Sequence, residues 1–394
     1  MPERPPLTLF SGDTTAAVPA SAVVFDPARL TQARQLAGLT KAALASQIGV
    51  SGAAVSQWES MTSPPRPDHL LRVAEVLDVP VEFFAAGRPF AQLDGAGAHF
   101  RSLRSTKAAQ RAKAVAFAQQ VWELTHVLER HVQLPAIDLP GFLPDDPSEL
   151  GDNPAAAARA LRAHWGIGPG PIPHLVRTME IRGIVTTMVE FAGGDTPTVN
   201  AFSTSRMPRP MIVLTPDRGD DVCWHRFTAA HELGHLVLHR DAAPGDSEQE
   251  HDADAFAAEF LTPADQIRDQ LPRRFDINAL RQLSHEWGVS IKSLVYRSCE
   301  TGTISDAVAR RAYQRLNHLY EVGILGSDLV AQYPGEIPAL LAKAFELAEN
   351  HGTLTLTSLA RELRWRPNRV RQLLGQPDDR PVLRLVTDLE TTAR

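Results

Sequence analysis

The stretch from residue 227 to residue 239 constrains the fold more than any other part of the chain. As a helix, it places His231 and His235 four residues apart, so their imidazoles lie one above the other on one face. Glu232 projects beside them, and most remaining positions are small or apolar, as in a helix buried on several sides. Two imidazoles in this register bind one divalent metal ion, with Glu232 next to any water on it. We therefore predict a metal site on a buried helix.

The H-E-x-x-H spacing is typical of zinc hydrolases, in which three protein ligands hold the ion and one position stays open for water. The segment 248–263 has apolar residues at helical spacing, with Glu250 and Asp254 four residues apart beside them. On a helix antiparallel to the first, Glu250 would face the metal and Asp254 the outer nitrogen of a ligating histidine. We predict Zn²⁺ held by His231, His235 and Glu250, since no other pair there supplies both a ligand and its supporting carboxylate. The competing donors in the segment are Glu248, His251, Asp252 and Glu259.

Short helices follow one another between residues 25 and 84. Thr40 is a good N-cap for one of them, and Ser51 is a good N-cap for the next. Gly49, which lies between the two, suits a turn that needs a positive φ. This pattern predicts a helix-turn-helix, and over the whole span it resembles the phage-repressor-like regulators of the XRE family.

In the XRE family the second helix of the motif enters the major groove of DNA. The resemblance implies base contacts from that helix and phosphate contacts from two cations before it. The implied base-reading residues are Ser51, Ala53, Ala54, Ser56 and Gln57, and the cations are Arg34 and Lys41. The family often has Gln where this chain has Lys41, and acidic residues slightly outnumber basic ones in the module, so one copy alone would bind weakly. We expect a homodimer on double-stranded DNA, with a role in protein contacts as the alternative.

Two segments around the paired histidines carry a second resemblance. They are Arg226 to His235 and Glu250 to Pro263, and the stretches 200–203 and 212–214 before them fit the same pattern. Together they resemble the ImmA/IrrE family of zinc metallopeptidases. The resemblance implies a zincin-like α+β domain, which in that family is often fused to, or encoded beside, an XRE-type reader. It also implies cleavage of repressors that control phage excision or stress genes.

These patterns predict a mainly α multidomain chain with an N-terminal all-α helix-turn-helix bundle, a central α+β zincin-like metallopeptidase domain with a small sheet, and a helical C-terminal region. The length of 394 residues is sufficient for two or three domains. The predicted parts are a disordered tail at 1–23, the XRE-type helix-turn-helix domain at 24–86, a linker with a basic long helix at 87–150, the ImmA/IrrE-like metallopeptidase domain at 151–300, and a helical C-terminal domain at 301–394.

Two segments outside these motifs are strongly basic, and each has two interpretations. The first begins the long helix, and the second, from residue 356 to residue 375, looks like a further helix, tight turn and helix. In one interpretation, each segment adds contacts to DNA phosphates, and 381–386 forms a short wing beside the second. In the other, each segment has only a structural role in the protein. In that case the first is a solvated helix face and the second a packing or dimerisation cap. The basic residues are Arg101, Arg104, Lys107, Arg111 and Lys113 in the first, and Arg361, Arg364, Arg366, Arg369 and Arg371 in the second.

Charge and cysteine content exclude several other classes of protein. The net charge of −6 argues against a protein that coats nucleic acid with its whole surface, although it allows a local binding face. The two cysteines, Cys223 and Cys299, are far apart and exclude a disulfide framework. No apolar run reaches membrane-spanning length, and residues 1–22 lack a signal pattern. We therefore expect a cytoplasmic protein without a membrane partner.

The residues support metal-assisted peptide hydrolysis, in which Glu232 takes a proton from the attacking water and passes it to the leaving amine. We predict a DNA-bound regulator whose zinc endopeptidase, gated or latent, cuts a repressor, a partner or itself in a stress or mobile-element response. The first alternative is a transcription factor whose metal domain senses a ligand or zinc without cleaving, and the second is an antitoxin-like partner of a neighbouring gene. His225 and Tyr296 are candidate transition-state donors, although a structural role is the simpler explanation for each.

Overall fold

The computed structural model describes residues 24–89, 99–100, 108–143, 145–146, 150–151, 153–188, 201–214, 221–240, 247–326 and 332–376. These ranges contain sixteen α-helices and one sheet of four strands, which confirms the predicted mainly α architecture with a small central sheet. None of the described helices is long and apolar enough to cross a membrane. The helices are α1 (Pro27–Leu36), α2 (Lys41–Ile48), α3 (Gly52–Glu59), α4 (Pro67–Val76), α5 (Ala108–Glu129), α6 (Pro154–His164), α7 (Leu175–Glu180), α8 (Val222–Leu238), α9 (Ser247–Leu261), α10 (Ala264–Ile267), α11 (Ile277–Trp287), α12 (Ile291–Glu300), α13 (Asp306–Glu321), α14 (Leu340–Asn350), α15 (Leu356–Leu363) and α16 (Pro367–Leu373). The strands are β1 (His99–Phe100), β2 (Val185–Met188), β3 (Ala201–Thr204) and β4 (Met211–Leu214).

The first four helices form the predicted helix-turn-helix bundle. At the start of α2 the hydroxyl of Thr40 accepts a hydrogen bond from the amide of Ala43. At the start of α3 the hydroxyl of Ser51 accepts one from the amide of Ala54. Gly49 ends α2 with a φ of 74°, a left-handed conformation that glycine adopts without steric cost. Because apolar residues of all four helices fill the interior, α3 is held by its inner face and its outer face stays exposed.

α5 runs through the interior of the molecule, and most of its residues after the first turns are buried. Glu123 on this helix is 3% exposed and accepts hydrogen bonds from two side chains of α1, Arg29 and Gln32 (3.0 Å). Its second oxygen accepts one from Arg88 (3.2 Å), whose guanidinium also donates to the carbonyl of Leu363 at the end of α15. A buried carboxylate is stable only when it is paired in this way. The cluster therefore joins the bundle, α5 and the C-terminal helices to one another.

The arginines of the C-terminal helices are largely engaged within the protein. α15 and α16 are joined by a tight turn in which Arg364 has a φ of 55°, and its guanidinium donates to the carbonyl of Ala85 (3.0 Å). Arg366 Nε lies 2.9 Å from the carboxylate of Asp78, and Arg369 lies over an aromatic ring of α5. Three of the five arginines thus pack on the bundle or on α5. These contacts favour the interpretation of this segment as a packing cap.

The basic start of the long helix is described only in part. Arg111 and Lys113 are partly buried on α5, and burial, followed by the nearby Arg369, lowers the pKa of Lys113. A lysine in such surroundings faces the protein at least as much as the solvent. Arg101, Arg104, Lys107 and the segment 381–386 lie outside the described residues.

The sheet separates two apolar cores. Its strands lie in the order β1-β3-β4-β2, with β2 parallel to β4 and the other pairs antiparallel. Side chains alternate along β4: Val213 packs with the bundle, α5 and the C-terminal helices, whereas Ile212 and Leu214 pack with α6, α8 and α9. β3 alternates in the same way, with Phe202 in the first core and Ala201 in the second. The helix-turn-helix bundle and α8 therefore belong to cores on opposite faces of one sheet.

Two buried carboxylates join the metal-site side of the sheet to the C-terminal helices. Glu336 is 1% exposed and accepts hydrogen bonds from the first two amides of α7 (2.9 and 3.2 Å). The same carboxylate pairs with Arg226 of α8. Glu180, the last residue of α7, accepts hydrogen bonds from two amides at the start of α14 (2.9 Å each). Each carboxylate thus caps the N-terminus of a helix in the other part of the chain, where helical amides lack partners.

Burial raises the pKa of Glu180 to about 7, although the two amides and the cations Lys343 and Arg177 act in the opposite direction. In the unfolded chain the group has its ordinary pKa of 4.5. Between these two values the folded protein keeps a proton that the unfolded chain has lost. The contribution of Glu180 to the free energy of unfolding is therefore complete below about pH 4.5 and is lost as the pH rises to about 7.

We expect Glu180→Gln to remove this pH dependence, because the amide still accepts both hydrogen bonds and cannot ionise. Above pH 7 the variant should be more stable than wild type by roughly 3 kcal/mol, the value of 2.5 pKa units, and the difference should shrink toward zero near pH 4.5. Urea unfolding at a series of pH values measures it. Glu346→Gln, an exposed change on α14, is the control and should follow wild type throughout. A stability difference that does not vary with pH would contradict the assignment.

Candidate metal centre and nucleic-acid interface

α8 holds the paired histidines in the interior. Asp221 caps the helix, and its carboxylate accepts hydrogen bonds from the amides of Cys223 (2.9 Å) and Trp224 (3.1 Å). All residues from 228 to 236 are buried. His231, Glu232 and His235 are at most 1% exposed. Their positions are therefore fixed by packing on all sides of the helix.

Three donor side chains converge between α8 and α9. His231 Nε2 and His235 Nε2 lie 3.1 Å apart. The two carboxylate oxygens of Glu250 lie 3.4 Å from the first nitrogen and 3.6 Å from the second. Within the described part of the chain, these three residues form a group whose ligand atoms all lie within 4.8 Å of one another. Two imidazoles and a carboxylate are a donor set of catalytic zinc sites, so the residues fit this metal.

Asp254 lies behind one of the two histidines. Its Oδ1 is 2.7 Å from His231 Nδ1, the ring nitrogen that faces away from the cluster. A carboxylate at this position keeps the proton on Nδ1, so the lone pair of Nε2 is available to a metal. The contacts His231 with Asp254 and His235 with Glu250 run in opposite directions along the two helices. α8 and α9 are therefore antiparallel, in the arrangement that the sequence predicted.

Ser203 is a site residue to which the sequence assigned no role. Its hydroxyl donates a hydrogen bond of 2.8 Å to Glu232 Oε2, and both residues are fully buried. The contact arises because alternate residues of β3 face α8, so Ala201 and Ser203 point to the same side of the sheet. Spacing in the sequence could not show this contact, because the pairing of Ser203 with Glu232 depends on how the sheet packs against the helix.

The two helices approach so closely at Gly234 that a side chain there would not fit without movement. A Cβ on Gly234 would lie 3.1 Å from the ring of Phe256 and 3.3 Å from Cα of Ala253. Both distances are shorter than about nine in ten real contacts of a Cβ atom. Since Ala253 stands between Glu250 and Asp254 on α9, this approach sets how far both carboxylates reach toward the histidines.

The competing donors have other surroundings. Glu259 is buried and pairs with Arg159 (2.8 Å) and with Arg297, so its carboxylate serves the core. Glu248 and His251 are exposed on α9. Asp252 lies 3.8 Å from His239, a histidine beyond the H-E-x-x-H segment. Their placement supports Glu250 as the third ligand.

Of the two candidate transition-state donors, His225 makes a contact that fits a structural role, and Tyr296 lies on the surface. His225 Nε2 lies 2.8 Å from the carbonyl oxygen of Glu336, and burial lowers the pKa of this histidine. A neutral imidazole there donates its N–H to the carbonyl. Tyr296 is 53% exposed on α12 and lines a groove together with Asp306 and Tyr313.

The outer face of α3 carries the predicted base-reading residues. Ala53 and Gln57 are exposed, and Ala54 and Ser56 are partly exposed. Ser51 is exposed and caps the helix. All five thus lie where a major groove would meet the helix, and their contacts with bases stay a prediction.

The two cations predicted to contact phosphates both meet one carboxylate. Arg34 donates to both oxygens of Glu59 (2.5 and 3.1 Å) and to the carbonyl of Leu39 (2.8 Å). Lys41 Nζ lies 3.4 Å from the same carboxylate and 3.3 Å from the hydroxyl of Ser56. Glu59 therefore offsets much of the positive charge beside α3. Lys41 is 44% exposed and Arg34 only 11%, so Lys41 is better placed for a phosphate.

The fold and the two sites define a helix-turn-helix protein that also carries a metallopeptidase-like domain. Residues 30–84 match the model of a helix-turn-helix family, and residues 180–298 match the M78 peptidase family, described as the IrrE N-terminal-like domain. No curated protein gives a significant match. The predicted arrangement, an XRE-type domain followed by an ImmA/IrrE-like metallopeptidase domain, is confirmed. The second match spans His231, Glu232, His235 and Glu250.

We expect Gly234→Ala to destabilise the metal-free protein, because the methyl group forces α9 away from α8. Overpacking of this kind costs about 1–3 kcal/mol, against which the better helix propensity of alanine returns about 1 kcal/mol. Zinc affinity should fall as well, since Glu250 moves with α9. Urea unfolding in chelator and zinc competition titrations measure the two effects. The matched control is Gly52→Ala on α3, where the new Cβ meets only an ordinary contact of 3.8 Å. Equal behaviour of the two variants would show that the crossing accommodates a methyl group.

Proposed function

We propose that the protein is a DNA-binding transcriptional regulator whose zinc-dependent endopeptidase domain hydrolyses a peptide bond in a regulatory protein. The observation that carries the peptidase is the convergence of His231, His235 and Glu250, with the buried carboxylate of Glu232 on the same helix. A zinc site that serves only stability needs no such carboxylate. In such a site, burial of the Glu232 carboxylate would destabilise the protein and serve no function.

The chain's own residues account for the proton transfers of this reaction. Zn²⁺ in the site would polarise the scissile carbonyl and make water acidic enough to attack it near neutral pH. Glu232 accepts the proton of that water and delivers it to the leaving amine. Ser203 holds the Glu232 carboxylate in one orientation through its 2.8 Å hydrogen bond. Asp254 holds the ring of His231 so that its Nε2 faces the site.

The DNA partner follows from the way in which the bundle is packed. Within the described residues, its contacts with the rest of the molecule include those of α1, of Asp78 after α4 and of Ala85, whereas α3 keeps its outer face exposed. Double-stranded DNA can therefore approach α3 without displacing the C-terminal helices. Because Glu59 offsets the cations beside α3, one copy would neutralise few phosphates. We propose that a homodimer reads two half-sites.

The proposed substrate is a repressor, the product of a neighbouring gene or the chain itself, cut in a stress response or in the induction of a phage or mobile element. The resemblance to the ImmA/IrrE family and the match to its peptidase domain support this class. The fused reader domain supports an activity that is gated or latent until a signal arrives.

A second candidate is a regulator that senses a ligand and does not cleave. One observation favours it, a cleft of about 940 Å³ between the bundle, α5 and α16. Apolar Phe83 and Phe117 line it together with the cations Arg366 and Arg369. A ligand in this cleft would contact α1 and α16 at once. Its binding would change the packing of the DNA-reading bundle without any chemistry at the metal centre.

Comparison of wild type with Glu232→Gln tests the peptidase. The amide cannot accept a proton, while both histidines and Glu250 are kept, so we expect unchanged zinc binding and loss of cleavage by at least about a hundredfold. Each form is expressed with the products of neighbouring genes, and fragments that depend on zinc and on Glu232 are sought by mass spectrometry.

The control is Glu248→Gln, an exposed change on α9 that should cleave like wild type. If wild type and Glu232→Gln give the same fragments, while operator binding responds to a ligand, the protein is a sensor and the peptidase proposal fails.

The DNA-binding proposal is tested on duplexes that the full-length protein selects from a random pool. We expect Gln57→Ala to weaken binding to the selected site by about 1–3 kcal/mol, which is the value of a good base contact. Fluorescence anisotropy at fixed salt measures it. Gln266→Ala on α10 is the control and should bind like wild type. Equal loss of affinity for selected and unselected duplexes would show that Gln57 does not read bases.

A further inference from the structure

α8 ends at a third histidine to which the H-E-x-x-H motif gives no role. His239 follows His235 by four residues, so the two rings lie on the same face of the helix. It is 6% exposed, although it is the residue at which the helix stops. A polar ring buried at this point needs partners within the protein.

Two polar contacts of His239 lead in opposite directions. Its Nδ1 lies 3.0 Å from Nδ1 of His235, the ring nitrogen that faces away from the metal cluster. Its Nε2 lies 3.8 Å from Oδ2 of Asp252 on α9. His239 thus stands between a carboxylate and a predicted metal ligand. It occupies the position behind His235 that Asp254 occupies behind His231.

The requirements for hydrogen-bond donors and acceptors determine which ring nitrogen carries the proton in His235 and in His239. His235 needs the lone pair of Nε2 for a metal, so its proton is on Nδ1 and is donated to His239. His239 Nδ1 then accepts, and its own proton is on Nε2, toward the carboxylate of Asp252. None of the three groups, His235, His239 and Asp252, has to change its protonation state. The arrangement is thus complete with both imidazoles neutral.

We propose that His239 and Asp252 are positioning residues for His235, which orient its ring and keep its Nε2 lone pair on the metal. The inference rests on the metal site of the proposed function. It implies that three carboxylates of α9, each two residues after the last, support the site. Glu250 faces the metal, Asp252 faces His239 and Asp254 faces His231. Both histidine ligands are then supported by α9, one directly and one through a second imidazole.

Zinc affinity of the full-length protein, measured by competition with a chelating dye, tests the role. We expect His239→Leu to lower the affinity about 10- to 100-fold, because it removes the acceptor for His235 Nδ1–H. His239→Asn should recover most of this loss, since its side-chain oxygen can accept at the position of Nδ1. Asp252→Asn changes a partly exposed site and should fold normally. As a single variant it should weaken zinc binding. Combined with His239→Asn, it should cause no further loss of zinc affinity. His251→Gln, an exposed change on the same helix, is the control.

The tautomers give a second readout that does not depend on activity. In the zinc-loaded protein, long-range proton–nitrogen correlation spectra should show His235 protonated at Nδ1 and His239 at Nε2. A proton on His239 Nδ1 would overturn the proposal. Equal loss of affinity in His239→Leu and His239→Asn would also overturn it, because a direct ligand would behave in that way.

This outcome is separable from that of the proposed function. If wild type binds zinc, but wild type and Glu232→Gln give the same fragments, the peptidase proposal is contradicted. The zinc affinities of the His239 and Asp252 variants still test the role of His239 in that case. If wild type binds no zinc, both proposals fail together.

Discussion

The close approach of α8 and α9 at Gly234 is the constraint on which the candidate metal centre depends. With a larger residue there, the backbone of α9 at Ala253 would have to move by a few tenths of an ångström, since even a Cβ would lie 3.3 Å from its Cα. The residues on either side of Ala253 are the ones that reach the histidines, and a shift of a few tenths of an ångström would change each of their distances. Well-packed helices resist such shifts, because interiors are about as dense as organic crystals. The donor geometry is therefore a property of the helix crossing more than of the five-residue motif.

The sheet relates this centre to the rest of the molecule. Along β3, Ser203 contacts Glu232, while the neighbouring Phe202 packs in the core that contains the helix-turn-helix bundle and the C-terminal helices. One strand thus borders both Glu232, the proposed general base, and the core that contains the helix-turn-helix bundle. On that side, the paired carboxylate of Glu123 ties the bundle to α5 and α15. Neighbouring residues of one strand, only four residues long, therefore contact that core on one face and Glu232 on the other.

Features that depend on local spacing could be predicted from the sequence. Contacts between segments that are distant in the sequence could not. The helical register of His231 and His235, the pair Glu250 and Asp254 and the caps of the helix-turn-helix follow from intervals of three or four residues, and the structure has them. The burial of α5 was not foreseen, because its basic start suggested a solvent-facing helix. Nor could spacing show that Arg364 and Arg366 meet the bundle, since a surface arginine and a packed arginine look alike in sequence. The His239–Asp252 contact was missed for a related reason: both residues lay in recognised segments, but their pairing depends on the crossing of the two helices.

The capping of α7 by Glu336 affects how far the metallopeptidase-like domain is a self-contained unit. The family match ends at residue 298, yet the carboxylate that pairs with Arg226 on the metal-site helix belongs to Glu336. A chain that ended at the border of the match would leave that guanidinium buried without this partner. Removing one side of a buried ion pair costs about 3–5 kcal/mol, a large share of the stability of an ordinary domain. The family match and the contacts that hold the metal-site helix thus have different borders here, and a fragment that ended at residue 298 would lack the carboxylate of Glu336.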